Sequence, residues 1–406
     1  MAASKKKSLT ELAAVIAEHQ ANLTRLGEAW GEKLTDQLDA ADLAILGNLE
    51  RILSKAKRTY RVNEKGARDA LDYVRQEVEK IRVKAYKKAE EQMRSEAELL
   101  AGNEQKWTRK LLSSMTGTPT SGFNGYGDEK IVGIIENGVI RDNPWNRWWV
   151  YYTESDTERI SHVINRTMAE GLTIDECVRL LMGTKANNYT DGVLSTNRRS
   201  ARNMARTLCS GIANLAKDEF YRENDDVVTA VEWLDTLDGR TCLTCAGMSR
   251  MRWKIDEPHP VPPAHFQCRC CLIPVTVITD EGEDMPRPMA NADFMAEAKR
   301  AYEAKYPGKM FDDLAESTKK KYYWKAMQDY ESRTGKKAYS RAPGSMSFRD
   351  YFLQMSEQQK KDYLGPQKYA LWKTGKYTVE DFIPPYPNKA FTVKELKALD
   401  QQSFKI

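Results

Sequence analysis

Five of the seven cysteines of this chain lie within thirty residues, in a spacing typical of metal ligands. Two of them form a Cys-x-x-Cys turn. After twenty-two intervening residues, three more follow just after a histidine. The six candidate donors are Cys242, Cys245, His265, Cys268, Cys270 and Cys271. A Cys-x-x-Cys turn presents two thiolates on one side of a tight loop, which suits two corners of a tetrahedron with Zn–S distances of about 2.3 Å. Thiolates favour Zn2+ over magnesium or calcium, which prefer oxygen ligands.

Six donors compete for four positions around such an ion. We predict Cys242, Cys245 and His265 as ligands together with Cys268 or Cys270, and leave the choice between the last two open. Cys271 is expected to face the other way, because it begins an apolar run typical of a strand. Two other interpretations stay open. The thiols could be reduced and packed in a small core, or they could form a disulfide in an oxidising particle exterior.

The same residues do not make a catalytic centre. A catalytic zinc keeps an open coordination position and needs a nearby acid or base. The zinc deaminase signature requires His-x-Glu, whereas His265-Phe266-Gln267 has glutamine in place of the glutamate. The sequence has no His-Glu-x-x-His, no Gly-x-Ser-x-Gly and no phosphate-binding glycine-rich loop with lysine. We therefore predict a structural Zn2+ and no catalytic residues.

The first 115 residues are predicted to be helical. The first proline is Pro119, and Ser8 with Glu11 has the form of a capping box. Apolar residues then recur at helical spacing along one stripe, from Leu12 to Leu38 and again from Leu71 to Ala85. The pattern predicts a helical arm or hairpin over residues 1–115. It leaves open whether the stripe is buried within this chain or against a partner.

Residues 116–153 are predicted to be a linker followed by an aromatic-rich segment. The linker is rich in glycine, serine and threonine, and a group of aromatic residues follows it. Such a group is usually part of a core or contacts another chain, and base stacking is a weaker alternative. The tryptophans predicted to contact a partner are Trp30, Trp145, Trp148 and Trp149.

The segment 154–283 is predicted to contain helices followed by a small sheet. A long helix is expected from about Ser200 to Tyr221. Four arginines at and before its start form a local basic face that is expected to be solvated or paired with acids, with phosphate binding as a weaker alternative: Arg198, Arg199, Arg202 and Arg206. Strands are expected at 227–234 and 272–278, in one sheet with the cysteine module at 238–271 between them. Residues 284–406 are expected to be charged and helical. The predicted fold class is mainly α with a small β element (α+β).

The charge balance argues against a strong binder of duplex nucleic acid. The chain has 63 lysines and arginines against 58 acidic residues, a formal excess of only five positive charges over 406 residues. No apolar window approaches the length of a membrane span. No apolar stretch follows the lysines near the N-terminus, so no secretory signal is predicted.

Residues 155–277 resemble the Mu F-like head-morphogenesis domain of tailed bacteriophages. The helix 200–207, which ends in Arg206-Thr207, is similar to the "iaRT" helix of that family. The run with Asp238, Arg240 and Thr241 before the Cys-x-x-Cys turn resembles its D-x-R-T-C-x-x-C motif. Residues 265–270 resemble its H-P-x-C-R-C ending, although Phe266 stands where proline is usual. The segment 364–376 is similar to a Leu-Gly…Gly-Lys segment that often closes these proteins.

The resemblance implies a non-enzymatic minor head protein of the virion. Proteins of this family are expected inside the capsid, associated with the portal protein at the DNA-entry vertex, where they assist head assembly or genome packaging and delivery. Assembly is expected in the host cytoplasm. Other internal head proteins and weak contact with packaged DNA are further expected partners; a membrane or a small-molecule substrate is not. The alternative is a zinc-dependent nuclease or nucleic-acid-binding factor acting on the packaged genome.

Overall fold

The computed structural model describes residues 8–61, 63–277, 285–314 and 316–383. Most of these residues are helical, and the strands form small antiparallel sheets. The predicted fold class, mainly α with a small β element, is confirmed. None of the helices in these four ranges is long and apolar enough to cross a membrane.

Two long antiparallel helices, α1 (Leu9–Tyr60) and α2 (Glu64–Thr116), form an N-terminal hairpin. At 1.5 Å per residue, the 52 residues of α1 extend about 78 Å. The predicted capping box is present, since the Ser8 hydroxyl accepts from the Glu11 amide and the Glu11 carboxylate accepts from the Ser8 amide. At the other end of the hairpin, α2 stops at Gly117, whose φ of 78° lies in the left-handed region that glycine adopts readily.

The hairpin packs along its length on four central helices. These are α3 (Asp128–Asn137), α4 (Trp145–Ala169), α5 (Ile174–Met182) and α6 (Val193–Arg222). Most of the apolar stripe of α1 is buried against α2, α4 and α6, so the stripe is covered within this chain. At Gly27 the axes of α1 and α6 come close, because a Cβ there would lie 3.2 Å from Arg206 Cα.

The four tryptophans expected at a partner contact lie instead in the core between the hairpin and the central helices. Their residue exposures are 1–5%, and they pack with apolar side chains of α1, α2, α4 and α6. Large aromatic rings bury much apolar surface, which stabilises this core. The expectation is therefore corrected: the rings of Trp30, Trp145, Trp148 and Trp149 are covered by the chain itself.

A three-stranded antiparallel sheet follows α6. Its strands are β1 (Val228–Leu234), β2 (Arg252–Lys254) and β3 (Cys271–Thr276), in the order β2-β1-β3. The short helix α7 (Leu243–Gly247) and the cysteine loops lie between β1 and β3. The prediction that both strands share one sheet with the cysteine module between them is confirmed.

The remaining described residues form two smaller cores beside this sheet. The strands β4 (Arg287–Ala290) and β5 (Tyr339–Ala342) pair with each other. The helices are α8 (Phe294–Lys305), α9 (Glu316–Thr334), α10 (Phe348–Gln354) and α11 (Glu357–Lys373). Short 3-10 helices occur at Thr120–Gly122, Lys185–Asn187, Phe311–Asp313 and Glu380–Phe382. The predicted interruption at residues 364–366 appears as a kink in α11, where Gly365 has a φ of 75°. Residues 384–406 of the predicted C-terminal region lie outside the described residues.

Candidate metal centre

The Cys-x-x-Cys turn forms the first turn of α7. Cys242 stands at the N-cap of this helix, and its Sγ accepts a hydrogen bond from the Cys245 amide at 3.4 Å. Cys245 follows on the helix itself and is buried. The turn therefore directs both sulfurs toward the loop that precedes β3, which carries the remaining predicted ligands.

The structure brings all five predicted ligands together around Cys245. The ligand atoms of Cys242, Cys245 and His265 lie within 4.8 Å of one another, and so do those of Cys245, Cys268 and Cys270. The Sγ atoms of Cys245 and Cys268 are 3.7 Å apart. Two sulfurs each about 2.3 Å from one tetrahedral ion would be about 3.8 Å apart, whereas a disulfide needs about 2.0 Å. All seven cysteines are free, and the cluster can hold a metal ion.

The ionisation of the cluster favours metal binding. The hydrogen bond with Cys245 and the neighbouring His265 lower the pKa of Cys242 to about 4, although burial opposes this. Burial lowers the pKa of His265, but the sulfurs of Cys242 and Cys268 outweigh it and raise that pKa to about 10. The metal-free cluster thus pairs an imidazolium with thiolate. Since thiolate is the ligand form of cysteine, a cation can take the place of the imidazolium proton.

The loop that carries His265 is held on both sides. Its Nδ1 lies 2.7 Å from the Phe266 carbonyl oxygen, so an Nδ1–H donor there leaves Nε2 as the ligand atom. The Phe266 ring packs edge-on against Trp148 with ring centres 5.8 Å apart, and the Arg141 guanidinium lies 4.1 Å from its centre. The Gln267 amide donates to Asn203 of α6 at 2.9 Å. These contacts attach the loop that carries His265 to the helical bundle. No local sequence pattern predicts them.

Asp238 joins the two halves of the cluster. Its carboxylate accepts hydrogen bonds from both terminal nitrogens of Arg269, at 2.7 and 2.8 Å. Arg269 lies between Cys268 and Cys270 in the sequence. It also accepts from the Arg240 amide at 3.0 Å and from the Tyr339 hydroxyl at 3.0 Å. Burial opposes ionisation of Asp238, but the Arg269 guanidinium holds its pKa below the usual range. Tyr339, 101 residues away, could not be found from the local motif.

The other two motif residues of this loop are also structural. The Thr241 hydroxyl lies 3.4 Å from Asp238 Oδ1 and donates to the Thr236 carbonyl, which closes the turn before Cys242. The Arg240 guanidinium lies 5.1 Å from the centre of the Tyr323 ring on α9. The Asp-x-Arg-Thr motif thus fixes the loop and joins it to the C-terminal helices.

Cys271 does not belong to the cluster. It is the first residue of β3 and pairs with Leu234, and it lies in neither group of candidate ligands. Burial raises the pKa of its thiol to about 11. Cys177 and Cys209 are buried on α5 and α6, and burial raises the pKa of both thiols.

The Arg-Thr helix of the motif is docked on α1. Arg206 forms an ion pair with Glu28, and the Thr207 hydroxyl donates to the Asn203 carbonyl within α6. Arg198 pairs with Asp39 and Asp42 at 2.7 and 2.6 Å. Two of the four arginines of the predicted basic face are therefore paired with acids of the hairpin, as the acid-paired interpretation predicts.

The comparisons with known proteins agree with these motifs. The family model described as Phage Mu protein F like protein matches residues 158–273, which include the Arg-Thr helix, Asp238 and all five candidate ligands. No curated protein and no solved structure matches the chain. The matched segment runs from within α4 into β3 and thus joins the hairpin-facing helices to the cysteine cluster. Residues 158–273, less than a third of the chain, are therefore similar to the phage Mu protein F like family.

Proposed function

We propose that this chain is a non-enzymatic minor head protein that lies inside the capsid and is associated with the portal protein. Its role is to assist head assembly and genome packaging or delivery. Two things support the proposal. The family match covers the Arg-Thr helix, Asp238 and the cysteine cluster, and this cluster can hold a metal ion.

The donor set of the cluster supports a structural Zn2+. Four thiolates, or three thiolates with one imidazole, are typical of closed zinc sites, whereas catalytic sites keep one position for water. Here two groups of three close ligand atoms share Cys245, so the chain itself offers enough donors to fill four positions. The neighbouring acid, Asp238, is bound to Arg269 and Tyr339 and does not act as a free base.

A metal at this position would join two stretches of chain that have little secondary structure. Between β1 and β3 the only regular elements are α7, with five residues, and β2, with three. Zinc binding to Cys242 and Cys245 on one side and to His265 and Cys268 or Cys270 on the other would cross-link them. Binding free energy of this kind contributes directly to folding.

The metal can be tested on purified full-length protein by elemental analysis and thermal unfolding. We expect about one zinc per chain in the wild type. Cys245→Ser should lose most of the zinc and lower the unfolding temperature. Cys177→Ser is the matched control, because Cys177 is as buried as Cys245 but lies on α5, outside the cluster. Native protein that contains no zinc, or equal behaviour of the two variants, would contradict the structural zinc.

The portal partner is tested by co-expression. The tagged portal protein of the same phage should retain the untagged chain through size-exclusion chromatography, and DNA-filled heads should contain the chain by immunoblot. Separate elution of the two proteins, together with absence from purified heads, would reject the proposed location. The zinc measurement on the same sample reports independently on the folded state.

The absence of catalysis is tested by incubating the protein with duplex DNA, single-stranded DNA or RNA and Mg2+, Mn2+ or Zn2+. We expect no turnover above a buffer control. Turnover that disappears in His265→Ala, while the variant keeps its helical circular dichroism, would instead support the zinc-dependent nuclease.

A further inference from the structure

The tip of the N-terminal hairpin has a larger formal net positive charge than the chain as a whole. Residues 51–68 contain seven lysines or arginines and one glutamate, a formal excess of six, whereas the whole chain has an excess of five. The segment spans the end of α1, the connection and the start of α2. We call residues 51–68 the basic tip. The remainder of the chain is close to neutral, so the positive charge is concentrated at one end of the hairpin.

Most charged groups of the basic tip point to solvent. Six of the seven basic residues are exposed. Arg51 pairs with Glu77, and the other five form the exposed group of the basic tip: Lys55, Arg58, Arg61, Lys65 and Arg68. In the part of the chain that the structure describes, the ion pair of this group is that of Arg68 with Glu64, at 3.9 Å on an open surface. Such exposed pairs contribute little free energy, and a phosphate can replace the carboxylate.

Several acids around the basic tip are engaged elsewhere, whereas Glu50, Asp69 and Asp72 are exposed on the hairpin beside it. Glu77 binds Arg51 and Lys80 on the hairpin. Glu170 pairs with Arg166 on α4, and Glu176 caps α5 through Thr173. Asp175 is exposed in the first turn of α5.

The basic tip has a rigid base. Ile52, Leu53 and Ala56 are buried against α4 and α5, and the Lys57 ammonium donates to the Leu172 carbonyl at 2.9 Å. The Lys55 ammonium lies 4.0 Å from the centre of the Tyr73 ring on α2. The cations are therefore presented from a fixed platform, and the N-terminus of α2 adds the partial positive charge of a helix dipole.

We propose that the basic tip binds the phosphate backbone of duplex DNA without sequence specificity. Five exposed cations on the rounded end of a hairpin match a regular polyanion better than a protein surface, because protein interfaces need an apolar core. None of the large exposed apolar side chains of the described residues falls within the basic tip. The surface differs from the arginine face of α6, where Arg198 and Arg206 are already paired with acids.

The test measures binding of the full-length protein to a fluorescent duplex of random sequence by anisotropy, over a range of NaCl concentrations. Release of counterions from about five phosphates gives a slope of log K against log salt of about −4 to −5. The variant K55Q/R58Q/R61Q/K65Q should reduce the slope to about −1 and weaken binding strongly at low salt.

The matched control is K84Q/K87Q/K88Q/K106Q, which removes the same charge from exposed positions of α2 outside the basic tip. It should bind like the wild type, because the local surface rather than the net charge determines binding. Equal losses in the two variants, or no loss in the tip variant, would overturn the proposal. Tight binding of polyglutamate by a wild type that does not bind DNA would also overturn it and indicate an acidic protein partner. Neither the DNA affinity nor the salt slope depends on zinc or on the portal protein, so this inference can fail while the proposed function stands.

Discussion

If the proposed zinc site is correct, replacing Asp238 by asparagine should weaken metal binding although Asp238 is not one of the proposed ligands. The substitution preserves the volume of the side chain and removes the charge that holds Arg269 between Cys268 and Cys270. Removing one partner of a buried ion pair costs about 3–5 kcal/mol, because the other charge is left without compensation. A quarter of the Arg269 side chain is exposed, and water lowers this cost. We therefore expect a loss of about 2–3 kcal/mol in the free energy of unfolding.

The same substitution should lower zinc affinity by about tenfold. Mutation of groups that orient metal ligands commonly lowers metal affinity by about 10–100-fold. Asp238 acts on the loop backbone rather than on a ligand atom, so we expect an effect at the lower end of this range. Affinity is measured by competition with a chromophoric chelator, and stability by urea unfolding followed by circular dichroism. The control is Asp191→Asn, which removes a hydrogen-bonded carboxylate in the separate loop after α5.

A double variant separates the charge effect from a loss of fold. Asp238→Asn with Arg269→Met removes both charges, so it should recover part of the stability that Asp238→Asn alone loses. If Asp238→Asn binds zinc like the wild type, or if the double variant is as unstable as the sum of the two single variants, the reasoning about this ion pair is refuted.

Three further outcomes are expected. Gly27→Val should destabilise the protein by about 1–3 kcal/mol, because its Cβ would press on the backbone of α6. Gly47→Val should be nearly neutral, because no atom lies within 4 Å of a Cβ at that position. Urea unfolding compares the two variants, and equal losses of stability would contradict the close helix contact. Arg82→Met should cost about 3–5 kcal/mol, because it removes the guanidinium beside buried Asp156 on α4 and leaves Asp42 on α1 with that of Arg198 alone. A stability equal to the wild type by the same measurement would contradict a buried ion network. In metal-free protein at pH 6, iodoacetamide should modify Cys242 much faster than Cys271. A pKa of about 4 makes Cys242 a thiolate, whereas a pKa of about 11 keeps Cys271 a thiol. Peptide mass spectrometry measures both modification rates, and equal rates would contradict the assigned ionisation.

The sequence predicted those features that depend on local spacing. The capping box at Ser8, the strand pair around the cysteines and the exclusion of Cys271 from the cluster all follow from neighbouring residues. The choice between Cys268 and Cys270 does not, since both sulfurs lie beside Cys245.

Long-range packing was harder to predict from the sequence. An aromatic residue has the same pattern in a core and at an interface, so the burial of Trp148 could not be read from its neighbours. The contacts of Asp238 with Tyr339 and of Gln267 with Asn203 join residues 101 and 64 positions apart, and no local motif indicates them. The basic tip was present in the sequence, but its charge is hidden in a nearly balanced total.

One helical hairpin contributes to three separate cores. Near the open end of the hairpin, Leu12 and Leu112 pack with the strands around the cysteine module. The middle of the hairpin packs on α4 and α6, and its closed end packs on α4 and α5. The segment that carries the family motifs therefore lacks much of its own interior when it is excised. A fragment limited to residues 158–273 would present the Gly27-facing side of α6 to water, and such a fragment is a poor surrogate for the whole chain. The evolutionary unit and the folding unit of this protein are different lengths of the same polypeptide.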